Sequence, residues 1–557
     1  MSSLLLHPGL VLVAGGLLLA AVRGRLRPVL VLALPLVSLY LTWRLPDGVG
    51  GHIDFVGLQL APLALDKLSR LFATIFGIMA FAGGLFALNQ KNALEVPAAL
   101  IYAGAAIGVA LAGDLVTVFI FWEMMAVGSA LVIWSAGAYR ASMRYLMIHL
   151  FGGVLLMAGI AGHVAATGSI AFNPMQLEGV TYWLILAGFL INAGAPPLSA
   201  WLPDAYPDAS WSGMVFLSAF TTKTAVYVLL RGFPGVELLI YIGVFMIFYG
   251  IIYALLENDM RRILAYSIVN QVGFMVVGVG MGTQMALNGA AAHAFTHIIY
   301  KALLLMSAGS VLLMTGKRKC TDLGGLFQSM PITALCGIIG ALAISSFPLT
   351  SGFVSKSMIS QSAADEHLFY VWLALAAASA GVFLHAGIKF PWFVFFQKDS
   401  GLRPPDPPLN MRLAMLFFAG LCIALGVFPG PLYALLPYPV DYVPYTPSHV
   451  VTQLQLLLFS GLTFFVMLPF LRRTLTVTLD TDWLYRVLGP LVVGSIARTF
   501  EAARSRARSE LLPVEAFAKR VYRRYGPQWW LARTGPTGSM ALWAMLMLLA
   551  YLLIYHA

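Results

Sequence analysis

Seven ionisable side chains stand inside long apolar stretches: Glu123, Lys223, His293, His297, Lys301, Lys356 and Lys389. A charge in hydrocarbon costs several kcal/mol, so each marks a candidate functional site. His293, His297 and Lys301 are spaced four apart and share one face of a single helix. Lysine, histidine and glutamate at similar membrane depth form a chain of groups that take and release protons. Burial disfavours a charged ammonium and a nearby carboxylate favours it again, so rearranging one partner switches a lysine between holding and releasing its proton. Histidine titrates near neutrality and can relay between lysines. Taken singly, each group has a structural reading. Glu123 could be an ion-pair partner, and Lys301 or Lys389 could extend to an interface. His149 and His163 read as helix–helix hydrogen-bonding residues rather than ligands.

These groups need membrane helices to position them. The 557 residues are 60% hydrophobic and only 10% charged, with a mean hydropathy of +0.85. That composition excludes a soluble globular domain and a disordered chain. A spanning helix takes about 20 apolar residues, and sixteen apolar stretches separated by short polar breaks run from 3–22 to 538–556. The fold class expected is an all-α polytopic membrane protein. The stretch 3–22 lacks a basic leader and precedes Arg23, Arg25 and Arg27, so it reads as a first spanning helix rather than a signal peptide. The polar segment 45–69 reads as an extramembrane hairpin. Two spanning stretches are interrupted, one by Asn192-Ala-Gly-Ala-Pro196-Pro197 and the other by Pro348 through Gly352. Broken helices at matching places in two halves suit an inverted-repeat transporter, where freed backbone groups line a hydrated path.

Cationic loops resist translocation. Arg and Lys concentrate in the odd-numbered loops, for example Arg140 with Arg144 and Lys317 with Arg318 and Lys319. Odd loops are therefore expected to be cytoplasmic, with the N-terminus outside. The segment 472–533 carries twelve Lys+Arg, among them Arg472, Arg473 and Arg533, against five acids, and so supplies +7 of the net +11. Apolar residues recur between its charges, which predicts a basic amphipathic helix along the membrane surface, split at Gly489–Pro490 and Pro513. Tethered between membrane helices, it argues against a nucleic-acid partner. Cys320, Cys336 and Cys422 form no ligand set, and no glycine-rich dinucleotide loop is present. No metal site, cofactor or redox centre of its own is expected.

The motifs Phe-Trp-Glu123, Trp201-Leu-Pro-Asp204-Ala-Tyr-Pro, Thr222-Lys223-Thr-Ala-Val-Tyr227, His293-Ala-Phe-Thr-His297 with Lys301, and Gly352-Phe-Val-Ser-Lys356 resemble the proton-conducting antiporter-like membrane subunits. That family serves respiratory complex I, membrane-bound hydrogenases and Mrp-type Na⁺/H⁺ antiporters, and the ending looks most like a long form of the Mrp antiporter's D-type subunit. The resemblance implies about fourteen core helices, with helices 4–8 and 9–13 as inverted five-helix repeats broken at helices 7 and 12. A surface helix and extra membrane helices follow. It divides the chain into N-terminal helices (1–95), two half-channels (96–232 and 233–398), C-terminal helices (399–471), the surface segment (472–533) and a final helix (534–557). Glu123 would be the fifth-helix carboxylate and Lys223 the eighth-helix relay lysine. His293, His297 and Lys301 would connect them to Lys356, the exit group. One position departs: the family usually has a lysine where this chain has Asn192. Either Lys223 pairs with Glu123 instead, or the first half-channel is impaired.

The leading expectation is an ion-translocating subunit of a monovalent cation/proton antiporter, embedded in the inner (plasma) membrane lipid bilayer. It would move H⁺, with Na⁺ or K⁺ as counter-ion, beside other membrane subunits. The alternatives are a proton-pumping subunit of a complex I-like quinone reductase or hydrogenase complex, and a structural subunit that has lost conduction.

Overall fold

The structure, a computed structural model, describes residues 7–469, 480–525 and 536–556. Helices α1 (Pro8–Ala21), α2 (Leu26–Arg44) and α3 (Lys67–Phe86) open the chain. Between α2 and α3 lies the expected hairpin. Strand β1 (Gly48–Val49) pairs with β4 (Ala64–Leu65), and β2 (Ile53–Phe55) pairs inside them with β3 (Leu58–Leu60). Its two-residue turn is Val56-Gly57, both at positive φ, the geometry that suits a tight hairpin.

Two similarly built stretches follow. The first contains α4 (Glu95–Leu111), α5 (Leu115–Ser135), α6 (Tyr139–Thr167), a broken pair α7 (Val180–Ala193) and α8 (Trp201–Ala205), and a kinked pair α9 (Gly213–Leu217) and α10 (Thr221–Gly232). The second contains α11 (Leu238–Leu256), α12 (Met260–Met281), α13 (Gln284–Thr315), a broken pair α14 (Pro331–Ile344) and α15 (Ser351–Asp365), and α16 (Phe369–Val382). Wide π-helical turns at Phe383–Lys389 and Trp392–Phe396 continue α16. Helices α17 (Leu409–Val427), α18 (Gly430–Ala434) and α19 (Pro447–Met467) complete a compact unit that ends at Asp482.

Among the described residues, twelve helical stretches are long and apolar enough to cross a membrane. Four shorter apolar helices, α1, α4, α7 and α14, stand at the remaining expected positions. Of these, α7 and α14 are short because each is the first half of a broken span. The helices pack through small residues, as membrane helices do. A Cβ on Gly243 would lie 2.7 Å from the Gly273 carbonyl, and a Cβ on Gly273 would lie 2.7 Å from that of Gly243. Only glycines let α11 and α12 approach so closely.

The breaks are held by ion pairs and backbone bonds. Arg144 on α6 grips Asp204 on α8 in bidentate fashion, both bonds 2.8 Å. Arg261 on α12 donates to the carbonyls of Pro207, Ala209 and Ser210 at 2.7–2.9 Å, and so fastens the end of the first break to the second repeat.

The second unit, Trp483–Ala557, holds α20 (Gly489–Tyr525) and α21 (Thr537–His556). Here one expectation is corrected. Neither Gly489–Pro490 nor Pro513 divides the basic segment, because α20 is one continuous helix of 37 residues. Gly489–Pro490 follows directly on a wide π-helical turn, Leu484–Leu488, and the helical run continues through it. Pro513 forfeits one helical bond in an exposed helix whose neighbouring Ala, Arg, Glu and Leu are strong helix formers. Arg472, Arg473 and Arg533, like residues 3–6 of the first expected helix, lie outside the described residues.

Candidate functional site

The break between α14 and α15 builds the clearest part of the site. Ser346 and Leu349 adopt positive φ, 57° and 68°, and such conformations cost about 1–3 kcal/mol each for residues with a Cβ. Gly352 is packed so tightly against the Ala343 carbonyl that a Cβ would collide with its oxygen. The interruption frees carbonyls at the end of α14, and Lys356, 2% exposed, donates to one of them: Nζ to Ile344 O, 2.7 Å. Its ammonium also lies 4.8 Å from the centre of the Phe274 ring.

Lys223 repeats this arrangement. It is fully buried, and its Nζ donates to Ser218 O at 2.7 Å, at the kink between α9 and α10, and to Thr222 Oγ1 at 3.1 Å. Both lysines thus sit on carbonyls where a helix is interrupted. Glu123 Oε1 has no protein partner, and the Lys223 ammonium is engaged by Ser218 and Thr222.

Between these lysines lies a buried polar core. His293 Nδ1 is 3.0 Å from Ser355 Oγ, which is 2.9 Å from Thr296 Oγ1 and belongs to the residue before Lys356. His293 Nε2 is 3.2 Å from Gln271 Oε1 and 3.3 Å from the Tyr300 hydroxyl, which itself donates to Gln271 at 3.1 Å. His297 is fully buried, with neither ring nitrogen bonded to protein. Lys301 donates to Ser267 Oγ at 2.6 Å. On the Lys223 side, Thr221 Oγ1 is 2.6 Å from the Tyr102 hydroxyl and 3.3 Å from that of Tyr145, which donates to Ser129 at 2.9 Å. These hydroxyls and amides make two buried hydrogen-bonded clusters, one around His293 and one around Thr221, beside the titratable groups.

Beyond Lys356 the site opens into a cavity of about 270 Å³ between α15, α16 and α19. Ser346, Ser357, Gln361, His449 and Gln453 line it together with the lysine, and no carboxylate is among its lining residues. His449 Nε2 lies 2.8 Å from Gln361 Oε1.

Two sequence-derived residues fall outside this core. Lys389, on the π-helical turn after α16, donates to the carbonyls of Ala254, Leu255 and Glu257 at 2.6–3.1 Å and so caps the end of α11. Glu123 is half-buried on α5, with Oε1 set against Gly153 of α6. Asn192 ends α7 fully buried, with neither amide atom bonded. Pro196 and Pro197 occupy the non-helical link between α7 and α8, and Pro348 that between α14 and α15. The hydrogen-bonding residues Tyr102, Tyr145, Thr221, Gln271, Tyr300 and Ser355 carry no mark in the sequence that sets them apart. An uncharged amide pair, Asn270-Gln271, within an apolar stretch is the one available signal.

Residues 112–382, which contain nearly all of these groups, match the family model described as NADH:quinone oxidoreductase/Mrp antiporter, transmembrane. The chain belongs to the antiporter-like membrane-subunit family. It is 28% identical over 438 residues to the D subunit of the Na⁺/H⁺ antiporter of Alkalihalophilus pseudofirmus, covering 72% of this chain and 88% of that one. It is 29% identical over 416 residues to the M subunit of the NADH-quinone oxidoreductase of Pseudomonas aeruginosa, covering 68% and 81% of the two chains. A chain of the archaeal membrane-bound sulfane sulfur reductase has a similar fold, with a TM-score of 0.72, 24% identity, and 98% and 99% of the two chains covered. As a member of this family the chain is a multi-pass membrane protein of the kind shared by Mrp antiporters, complex I and related complexes.

Proposed function

We propose that the chain is the ion-translocating subunit of a multisubunit monovalent cation/proton antiporter. One observation carries the reading: Lys223 and Lys356 each sit on a carbonyl at a helix interruption, and a buried core of His293, His297, Lys301 and hydroxyls lies between them. Protons would pass from Lys223 through this core to Lys356 and leave by the cavity at His449. That cavity's hydroxyl, amide and imidazole lining suits water and protons. With odd loops cytoplasmic and the N-terminus outside, the α15–α16 connection and the start of α19 face outward, so the cavity opens to the exterior of the plasma membrane. Lys389, at the opposite end, stands where protons would enter. Na⁺ or K⁺ is the counter-ion in this reading, and other membrane subunits complete the complex.

The test is ΔpH-linked transport in membrane vesicles carrying the whole complex. Lys356→Ala and Lys223→Ala should each abolish it while the complex still assembles. Unchanged flux in either variant refutes the relay.

A second reading, a proton-pumping subunit of a complex I-like or hydrogenase complex, is supported by the 29% identity over 416 residues to the M subunit of the Pseudomonas aeruginosa NADH-quinone oxidoreductase. Co-purification of the complex decides between the two, since flavin or iron–sulfur subunits in the preparation would sink the antiporter reading.

A further inference from the structure

The first repeat contains a buried histidine with no assigned role. His149 lies on α6, 1% exposed, its ring stacked on Tyr145 at 3.9 Å and edge-on to Trp201 at 4.6 Å. Its Nδ1 is 2.9 Å from the Tyr145 carbonyl. A carbonyl can only accept, so Nδ1 carries the hydrogen and Nε2 presents a bare lone pair. That Nε2 is buried and has no protein partner.

The same neighbourhood holds other orphaned polar atoms. α6 and α7 run antiparallel in close contact: a Cβ on Gly159 would meet Ile185, one on Gly188 would meet Leu156 and the Gly152 carbonyl, and one on Gly152 would meet Ile191. This register places Asn192 level with Gly152, within one helical turn of His149 along α6, and Trp201, which packs on the His149 ring, donates to Ile191 O at 2.8 Å. Glu123 Oε1 lies against Gly153, one helical turn along α6 from His149. Glu123, His149 and Asn192 therefore leave four buried polar atoms unbonded where α5, α6 and α7 meet. Buried polar groups rarely remain unsatisfied, and ordered water commonly satisfies them. A way onward also exists, since Tyr145, which carries the His149 ring, bonds toward Thr221 beside Thr222 and Lys223.

The two repeats place histidine alike. His149 is the eleventh residue of the third helix in the first repeat, and His293 is the tenth residue of the third helix in the second.

We propose that His149 is the proton-relaying group of the first half-channel, accepting protons at Nε2 from the Glu123 side and passing them toward Lys223. Glu123 needs no lysine at position 192, because the imidazole one turn away provides the basic group. The inference rests on the proposed relay, and the test separates the two.

The test uses vesicles carrying the whole complex and measures ΔpH-linked flux per assembled complex for His149→Gln, Asn192→Lys and the double variant. Glutamine retains a side chain of similar length and polarity but cannot be protonated. His149→Gln should lose at least tenfold in flux. Asn192→Lys, which brings a basic group within one turn of the same place, should remain active and should restore flux to the double variant. A full-flux His149→Gln overturns the proposal. So does an inactive Asn192→Lys, or a loss in His149→Gln that Asn192→Lys does not rescue, which would make the histidine a packing residue. If Lys223→Ala also leaves flux intact, the relay itself fails; if only His149→Gln does, this inference fails alone.

Discussion

Gly352→Ala should impair transport without touching a titratable group. The added Cβ would collide with the Ala343 carbonyl oxygen and lie 2.9 Å from the Ala343 carbonyl carbon. Carbon atoms sit best at about 3.5–4.0 Å, so α14 and α15 must separate by on the order of 1 Å. The neighbour is backbone, which cannot rotate aside. Ala343 precedes Ile344, whose carbonyl accepts from Lys356 at 2.7 Å, and Lys356 lies one turn beyond Gly352. Such a displacement stretches that bond past useful length. A hydrogen bond to a charged group contributes about 1.5–3 kcal/mol, equivalent to roughly 10- to 150-fold in the population of the bonded arrangement. Overpacking adds about 1–3 kcal/mol of destabilisation. Flux per assembled complex should therefore fall at least tenfold, with a lowered thermal midpoint for the purified complex. Wild-type flux and midpoint together would show that the tight break does not position Lys356.

Other variants examine the supports. Arg144→Ala leaves the buried Asp204 carboxylate without its bidentate partner, and should cost about 3 kcal/mol, seen as a lowered midpoint and reduced complex in membranes. Tyr300→Phe removes the hydroxyl shared by Gln271 and His293; a several-fold loss of flux is expected with about 1 kcal/mol of stability at most, and unchanged flux would remove Tyr300 from the path. At the hairpin, burial works to raise the Asp66 carboxyl, but Arg231 beside it and bonds from Ser69 hold it below the usual carboxylate range. Its stabilising contribution is present above the unfolded value of about 4 and is lost as pH falls through the lower folded value. Asp66→Asn should therefore flatten the acid side of a stability–pH profile, and an unaltered profile would show the pair contributes nothing.

The membrane helices and their breaks are legible in the sequence because apolar runs, Pro196, Pro197, Pro348 and isolated charges are visible one residue at a time. The partners of those charges are not. Lys389 caps carbonyls more than 130 residues away, and Tyr102 meets Thr221 across 119 positions, so no local pattern announces either. Serine, threonine and tyrosine are ordinary in membrane helices, and burial at a particular depth is what gives Ser355 or Tyr145 a role. Pro513 misleads for the opposite reason. It is conspicuous locally, yet an exposed helix of strong formers tolerates the single bond it removes.

Lys223 and Lys356 bind their protons and cap interrupted helices with the same nitrogen atom. Proton occupancy and backbone shape are therefore linked quantities. A deprotonated lysine has one hydrogen fewer with which to hold its carbonyl, so the two halves of the span lose part of what fixes their angle. Linkage is reciprocal: whatever bends α14 against α15 must change the proton affinity of Lys356 by the same factor that protonation changes the bend. A neighbouring protein pressing on the break could thus drive a proton off, or be pushed by one arriving, with no contact to the lysine itself.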